Sequence, residues 1–409
     1  MKCRHCRAEV SLPLIDLGSA PPSNAYLTKL TLRHPEKWFP LEVLVCESCW
    51  LVQAVAYSRA AELFDEEYAY FSSFSDIWLR HAERHVDSMV ERFGLTRASY
   101  VVEVASNDGY LLQYVKQRGI PCLGIEPTAG TAAVARLKGI ETLQEFFGVE
   151  IAKLLADQGR QADLMVANNV LAHTPEIDDF SAGFAALLKP QGVATFEFPH
   201  LMQLIEHREF DTIYHEHFSY LSFTTVARIF SANGLAAFDV EELGTHGGSL
   251  RVFAQRKDTG RHPTSEKVTR LLEREAAAGM NSAVYYRGFQ AHADKVKDGF
   301  LAFLLDAKRE CKTVAAYGAA AKGNTLMNYA GVRPDLIPFV VDRNPAKQGK
   351  FMPGSRIPIV DEDRLRQEKP EYVVILPWNI KGEIMQQLEY IRAWGGQFVT
   401  AVPHLEVMP

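Results

Sequence analysis

The stretch Tyr100-Val-Val-Glu-Val-Ala-Ser-Asn-Asp-Gly-Tyr-Leu-Leu112 decides the fold. Its valine-rich first half reads as a short buried strand. Small and polar residues follow and end on Gly109, where the backbone can turn tightly and approach a ligand. The apolar residues after it start a helix. Working outward, Cys122-Leu-Gly-Ile-Glu126-Pro127 is a second short strand closed by an acid. Asp163-Leu-Met-Val-Ala-Asn-Asn-Val170 and Gly192-Val-Ala-Thr-Phe-Glu-Phe198 are further strands, as are residues 236–241 and 250–254. Helical patterns occupy residues 75–93, 130–138, 149–157 and 177–188. Strands alternating with helices predict a doubly wound α/β domain. Such a fold binds its ligand at the carboxyl ends of the strands. Glu103, Ser106, Asn107, Asp108, Gly109, Glu126, Pro127, Asn168 and Asn169 all fall there. The turn is not G-x-G-x-x-G and offers no cradle for a pyrophosphate. A nucleoside without phosphates fits better. S-adenosylmethionine is such a ligand, and its sulfonium suits an acidic lining. Glu126 can accept both ribose hydroxyls. The plainer alternatives are a structural or capping role for Glu103 and a surface carboxylate for Glu126.

The whole chain has 409 residues, 47% of them hydrophobic, enough for about two to four domains. Lys and Arg number 44 against 50 Asp and Glu, a net charge of −6, which argues against a general nucleic-acid binder. No apolar run approaches the roughly 18 residues that span a bilayer. Met1-Lys-Cys-Arg-His-Cys6 has no hydrophobic signal core, so the expected location is the cytoplasm.

Four of the six cysteines form Cys3-x-x-Cys6 and Cys46-x-x-Cys49. In a reducing compartment such pairs are metal ligands before they are disulfides. Four thiolates complete a closed tetrahedral site, the structural type of zinc site. The 39 residues between Cys6 and Cys46 imply an insertion between the two knuckles. His5 reads as a bystander. A segment of about 70 residues is marginal alone, and a metal offsets that.

Toward the C-terminus, residues 265–305 are helical. Lys312-Thr-Val-Ala-Ala-Tyr317 is a strand, and Gly318-Ala-Ala-Ala-Lys-Gly-Asn324 turns into a helix. Phe339-Val-Val-Asp342, Tyr372-Val-Val-Ile-Leu376 and Gln397-Phe-Val-Thr400 complete a second doubly wound unit. Its first turn can present N–H groups to an anion. Lys322 adds charge, Asn324 lies beside it, and Asp342 can accept ribose hydroxyls. The turn departs from the dinucleotide pattern, which weakens an oxidoreductase reading. The alternative is a unit that only scaffolds the cleft.

Four blocks together resemble the sugar C-methyltransferases of deoxysugar biosynthesis. They are Cys3/Cys6/Cys46/Cys49, Glu103-Val-Ala-Ser-Asn-Asp-Gly109, Tyr214-His-Glu-His-Phe-Ser-Tyr-Leu221 and Gly318-Ala-Ala-Ala-Lys-Gly-Asn324. The resemblance implies a small N-terminal zinc-binding domain (1–72). It implies a central Rossmann-like class I methyltransferase domain (73–260) and a second Rossmann-like α/β domain (261–409). It further implies C-3 methylation of a thymidine-diphosphate 4-keto-deoxysugar, a sugar-nucleotide partner with neither nucleic acid nor membrane involved. By the same resemblance His217 is the general base, and Tyr214 and Glu216 contact substrate and enolate. His173 and one of Tyr68 and Tyr70, with Tyr68 favoured, belong to the same site. Ser72, Lys322, Asn324 and Asp342 are substrate-binding candidates.

The chemistry suits these residue types. Asp211-Thr-Ile-Tyr-His-Glu-His217 packs five ionisable side chains into seven positions. Methylating carbon beside a ketone needs a base with a pKa near working pH, which histidine supplies. The developing oxyanion needs a pre-placed donor, which a tyrosine hydroxyl supplies. In an extended segment Tyr214 and Glu216 would face one way, His215 and His217 the other. The competing readings are a structural histidine network, a His-x-His metal pair, methylation of a different carbon acid, and a non-enzymatic nucleoside sensor. His246-Gly-Gly-Ser-Leu-Arg251 is either a cleft loop or a tight structural turn.

Overall fold

Among the described residues, 1–57 and 71–409 of the computed structural model, the strands assemble into three sheets. Tyr68 and Tyr70 lie outside the described residues.

The first sheet joins β1 (Leu12–Ala20), β2 (Phe39–Val45) and β3 (Val52–Ala54) in antiparallel order. Its fourth strand, β9 (Ser219–Tyr220), arrives from the middle of the chain and pairs Tyr220 with Val52. Each cysteine knuckle sits at the end of this sheet. Directly after each second cysteine the backbone is left-handed, at Arg7 (φ 61°) and Trp50 (φ 64°). The chain closes both turns the same way, with Arg7 N–H donating to Cys3 O and Trp50 N–H to Cys46 O.

The second sheet contains β4 (Val101–Val104), β5 (Cys122–Ile125), β6 (Thr142–Leu143), β7 (Ala162–Asn168), β8 (Leu188–Pro199), β10 (Leu235–Leu243) and β11 (Ser249–Arg256). Their order is β10-β11-β8-β7-β4-β5-β6. The central pairs are parallel, and β11 runs antiparallel between β8 and β10. This is the class I methyltransferase arrangement that the resemblance implied. The helix Asp76–Phe93 lies across it. Ser75 caps its start by accepting the Trp78 N–H at 3.2 Å, and Gly94 (φ 60°) ends it. Its buried residues Trp78, Ala82, His85, Val86 and Met89 recur at helical spacing and make one core-facing stripe.

The third sheet has the order β14-β13-β12-β15-β16-β17. Its strands are β12 (Val314–Tyr317), β13 (Val340–Val341), β14 (Ile359–Val360), β15 (Tyr372–Ile375), β16 (Gln397–Thr400) and β17 (Glu406–Met408), all parallel except the last. Helices Glu266–Ala277 and Phe289–Arg309 precede it.

The cores cross these boundaries. One cluster unites Leu14, Val43 and Val52 with Phe210 and Ile213, and with Ala316, Leu326 and Val374. Another runs from Cys3 and Cys46 to Val102 and Phe196. Residues 201–221 therefore lie where all three sheets meet, and apolar burial fixes that segment from several sides.

Candidate active site

The turn after β4 alternates in handedness. Ala105 (φ 56°), Asn107 (φ 50°) and Gly109 (φ 74°) are all left-handed, which is uncommon for residues with a Cβ. Gly124 makes room for the turn, since a Cβ there would lie 2.4 Å from Ser106 Oγ. Glu126 closes β5 and accepts the N–H groups of Asn107 (2.9 Å) and Thr128 (3.0 Å). Asn107 Oδ1 in turn accepts the Ser72 N–H at 2.9 Å. Asp108 pairs with Lys138 at 3.3 Å, and Pro127 is half-buried beside Glu126.

Several polar atoms here are buried with no partner. They are Ser106 Oγ, Asp108 Oδ1, both amide atoms of Asn168 and Asn169 Oδ1. Buried polar groups are normally satisfied, so this concentration at the strand ends marks a place for a polar ligand. Burial pushes the Glu103 carboxyl well above its usual value, and Asp108 and Glu126 add to the effect. A cation received here would reverse that shift. The donor and acceptor set fits a positively charged nucleoside.

A second cluster is built on residues 210–220. The chain does not extend as the alternation argument supposed. His217 N–H donates to Tyr214 O at 2.9 Å and closes a turn. The turn brings the Tyr214 and His217 rings to 4.0 Å, centroid to centroid. It sends His215 elsewhere, with Nε2 at 3.2 Å from Phe39 O and Pro40 O, so His215 ties the motif to β2. His173 meets His217 ring to ring at 4.6 Å.

The tautomers follow from the partners. His217 Nδ1 lies 2.9 Å from Thr212 O, and His173 Nδ1 lies 2.8 Å from Glu216 O. A carbonyl only accepts, so each Nδ1 carries the hydrogen and each Nε2 keeps its lone pair. Burial holds both rings neutral. It lowers His173 to about 4 and His217 well below the usual range, where the neighbouring His173, His246 and Lys322 act in the same direction. Glu216 accepts the backbone and side-chain N–H groups of Asn24, both at 3.2 Å. Its other oxygen is buried without a partner, and burial raises its pKa.

The third sheet enters through Lys322, at the start of helix Ala321–Tyr329. Lys322 Nζ donates to Asn379 Oδ1 at 2.8 Å and sits 4.5 Å from the Trp378 ring centroid. Trp378 Nε1 donates to Asp211 at 2.8 Å. Burial raises Glu209 to about 8 and Asp211 to about 6, while Lys322 pulls both the other way. Lys322 thus belongs to the seam beside His217. Asn324 and Asp342 do not join it. Asn324 Nδ2 donates to Ser23 O at 2.7 Å. Asp342 accepts the N–H groups of Ala319 and Asn344, both at 2.8 Å. Sequence reasoning passed over Asn24 and Trp378, whose contacts with Glu216 and Asp211 are remote in sequence, and Thr212, which acts through its backbone oxygen rather than its side chain.

The four cysteine sulfurs lie within 4.8 Å of one another. Cys3 to Cys49 is 3.6 Å and Cys6 to Cys46 is 3.5 Å, close to the edge of about 3.8 Å that a tetrahedron with Zn–S near 2.3 Å requires. Gln53 Nε2 donates to Cys3 Sγ at 3.3 Å, a support of the kind thiolate ligands use. His5 bonds Asp178 at 2.7 Å and is not part of the sulfur cluster.

Family models match along the chain. Residues 3–64 match a putative zinc binding domain, 78–240 a methyltransferase domain and 244–403 a C-methyltransferase C-terminal domain. Over 407 residues the chain is 34% identical to the C-methyltransferase NovU of Streptomyces niveus, covering 100% of this chain and 96% of that protein. The chain belongs to this C-methyltransferase family. It is therefore a methyltransferase, and its N-terminal cysteines belong to a zinc-binding domain. A ubiquinone biosynthesis O-methyltransferase of Chelativorans sp. (strain BNC1) is 30% identical over 94 residues, 23% of this chain and 37% of that protein. Among solved structures, magnesium protoporphyrin IX methyltransferase (ChlM) from Synechocystis PCC 6803 is 18% identical with a TM-score of 0.33, covering 44% of this chain and 82% of that one. Among the described residues no helix is long and apolar enough to cross a membrane.

Proposed function

We propose that this C-methyltransferase methylates C-3 of a nucleoside-diphosphate 4-keto-deoxysugar, with thymidine the preferred nucleoside, in the cytoplasm. S-adenosylmethionine, held by Glu103, Ser106, Asn107, Asp108, Gly109, Glu126, Pro127, Asn168 and Asn169, supplies a methyl group on a sulfonium. His217 Nε2 takes the proton from C-3. The electron pair moves toward the ketone oxygen, where Tyr214 and the Lys322 charge stabilise it. Carbon 3 then bonds the methyl carbon as the sulfur–methyl bond breaks, leaving S-adenosylhomocysteine. Glu216 and His173 hold the sugar and the base in register. The nucleotide extends toward Lys322, while Asn324 and Asp342, bonded to Ser23 O and to the Ala319 and Asn344 N–H groups, brace that turn. Ser72 and one of Tyr68 and Tyr70 complete the sugar's surroundings.

One observation supports this reading above the others. His217 is buried, neutral and fixed in the tautomer that leaves Nε2 free, with Tyr214 against its ring. Labelled S-adenosylmethionine incubated with a panel of nucleotide keto-sugars tests it. Label on carbon 3 is expected, and no transfer to any nucleotide sugar overturns it. A second reading, a carbon acid without a nucleotide, draws support from Asn324 and Asp342 being bonded to the protein's own backbone. Calorimetry with thymidine diphosphate separates the two.

A further inference from the structure

The loop between β10 and β11 is bent more sharply than a hairpin needs. His246 (φ 55°), Gly247 (φ 92°) and Gly248 (φ 128°) are left-handed in succession. Glycine tolerates this, but histidine does so at a cost in strain. The bend is enforced by close packing. A Cβ on Gly247 would lie 2.4 Å from Glu209 Oε1, and one on Gly248 would lie 2.7 Å from Gln203 Cγ. The loop is therefore drawn against the segment that leads into Tyr214–His217.

The surroundings of the ring are those of the site. It stands edge-on to Trp78, with centroids 5.3 Å apart. Trp78 also stacks on Tyr110, the residue after Gly109, at 5.9 Å. Lys322 and Glu197 are close enough to act on His246 electrostatically, and His246 in turn acts on His217. Helix Asp76–Phe93, the end of β8, the 210–220 motif and the third sheet thus converge on one imidazole. Its Nδ1 is shut off from water and has no hydrogen-bond partner, although the residue keeps part of its surface open. By contrast, His173 and His217 each bond a backbone carbonyl through Nδ1. The Nδ1 atoms of His85 and His200 are also buried and unpaired, but neither residue has left-handed backbone; His246 combines both features beside the site.

We propose that His246 is a substrate-contacting residue, whose Nδ1 hydrogen-bonds an oxygen of the acceptor and holds it between the Gly109 turn and His217. This rests on the methyl-transfer reading above and adds a contact to it. Two variants test it, assayed on a panel of nucleotide keto-sugars and plain carbon acids. H246G keeps the backbone and removes the ring. H246N keeps left-handed tolerance and an amide near the Nδ1 position. H246G is expected to lower kcat/KM for the acceptor about 10- to 100-fold, mostly through KM, with S-adenosylmethionine affinity and Tm unchanged. H246N is expected to recover most of the loss. An H246G enzyme within twofold of wild type overturns the proposal, as does a loss shared equally by cofactor binding. If the wild type methylates only a plain carbon acid, the nucleotide-sugar reading falls while an H246G loss on that acid sustains the contact. A wild type inactive on the whole panel overturns both.

Discussion

Two strand-end acids close two matching turns, and the chain treats them differently. Glu126 accepts the Asn107 N–H of the turn after β4, and Asp342 accepts the Ala319 N–H of the turn after β12. Around the first, buried polar atoms of Ser106, Asp108, Asn168 and Asn169 lack partners. Around the second, the protein supplies most of its own, with Asn324 Oδ1 left over. Tyr26 OH and Lys347 Nζ both donate to Ala319 O, at 2.6 and 2.7 Å, and Asn324 donates to Ser23. The plug is the insertion between the two cysteine knuckles. The same topology is thus left open at one turn and filled at the other. A doubly wound motif locates where a ligand can bind, but the satisfaction of its polar groups decides whether one is awaited.

The largest expected effect lies on the open side. H217N should lower kcat about 10²- to 10⁴-fold, the range of a lost general base, with S-adenosylmethionine affinity intact by calorimetry. Unchanged turnover removes His217 as the base. Next comes the direct contrast of the acids. E126A should weaken S-adenosylmethionine binding about 10- to 100-fold through the lost ribose contacts. D342A should leave that affinity alone and lower stability by about 1–3 kcal/mol, because the Ala319 and Asn344 N–H groups lose their acceptor. Equal losses of cofactor affinity in both variants would break the comparison.

Both turns were legible in the sequence, though not the contrast between them, and the limits of that reading have physical causes. Strands β4, β5, β7 and β8 announce themselves because buried parallel strands are continuous apolar runs. The edge strands β6 and β17 span two and three residues, too short for any period. The four cysteines are readable because metal spacing is local. That β9 closes the N-terminal sheet is not, since its pairing with β3 bridges Val52 and Tyr220. The extended alternation of residues 214–217 failed for a similar reason. A turn closed by His217 N–H to Tyr214 O overrides the side-chain period, and only the packed surroundings select it. The filled state of the second turn was equally hidden, because its occupants come from residues 23–26.

That plug sets the third prediction. Asn24 belongs to the same insertion and holds Glu216 from across the cleft. N24A removes the side-chain donor and leaves the backbone donor in place. A loss of about 1 kcal/mol in stability is expected, with a rise in KM for the acceptor and no change in cofactor affinity. If the insertion only braced the third sheet, stability would fall and KM would stay. A KM shift without a stability loss would instead assign Asn24 wholly to the site.

The smallest effect is a displaced pH limb. An ordinary imidazole titrating near 6.5 would cost a base-dependent rate about nine-tenths of its value by pH 5.5. His217 is held well below that range, first by burial and then by the neighbouring His173. It therefore stays mostly unprotonated as pH falls through 6.5, and kcat/KM should hold where an ordinary imidazole would already have lost it. K322M removes a positive charge that also disfavours protonation of His217, so its acid limb should move up toward 6.5. A wild-type limb already at 6.5, unmoved in K322M, would mean that the Lys322 seam and the base do not sense each other. The filled turn would then be scaffold alone, with no electrostatic share in the chemistry at the open one.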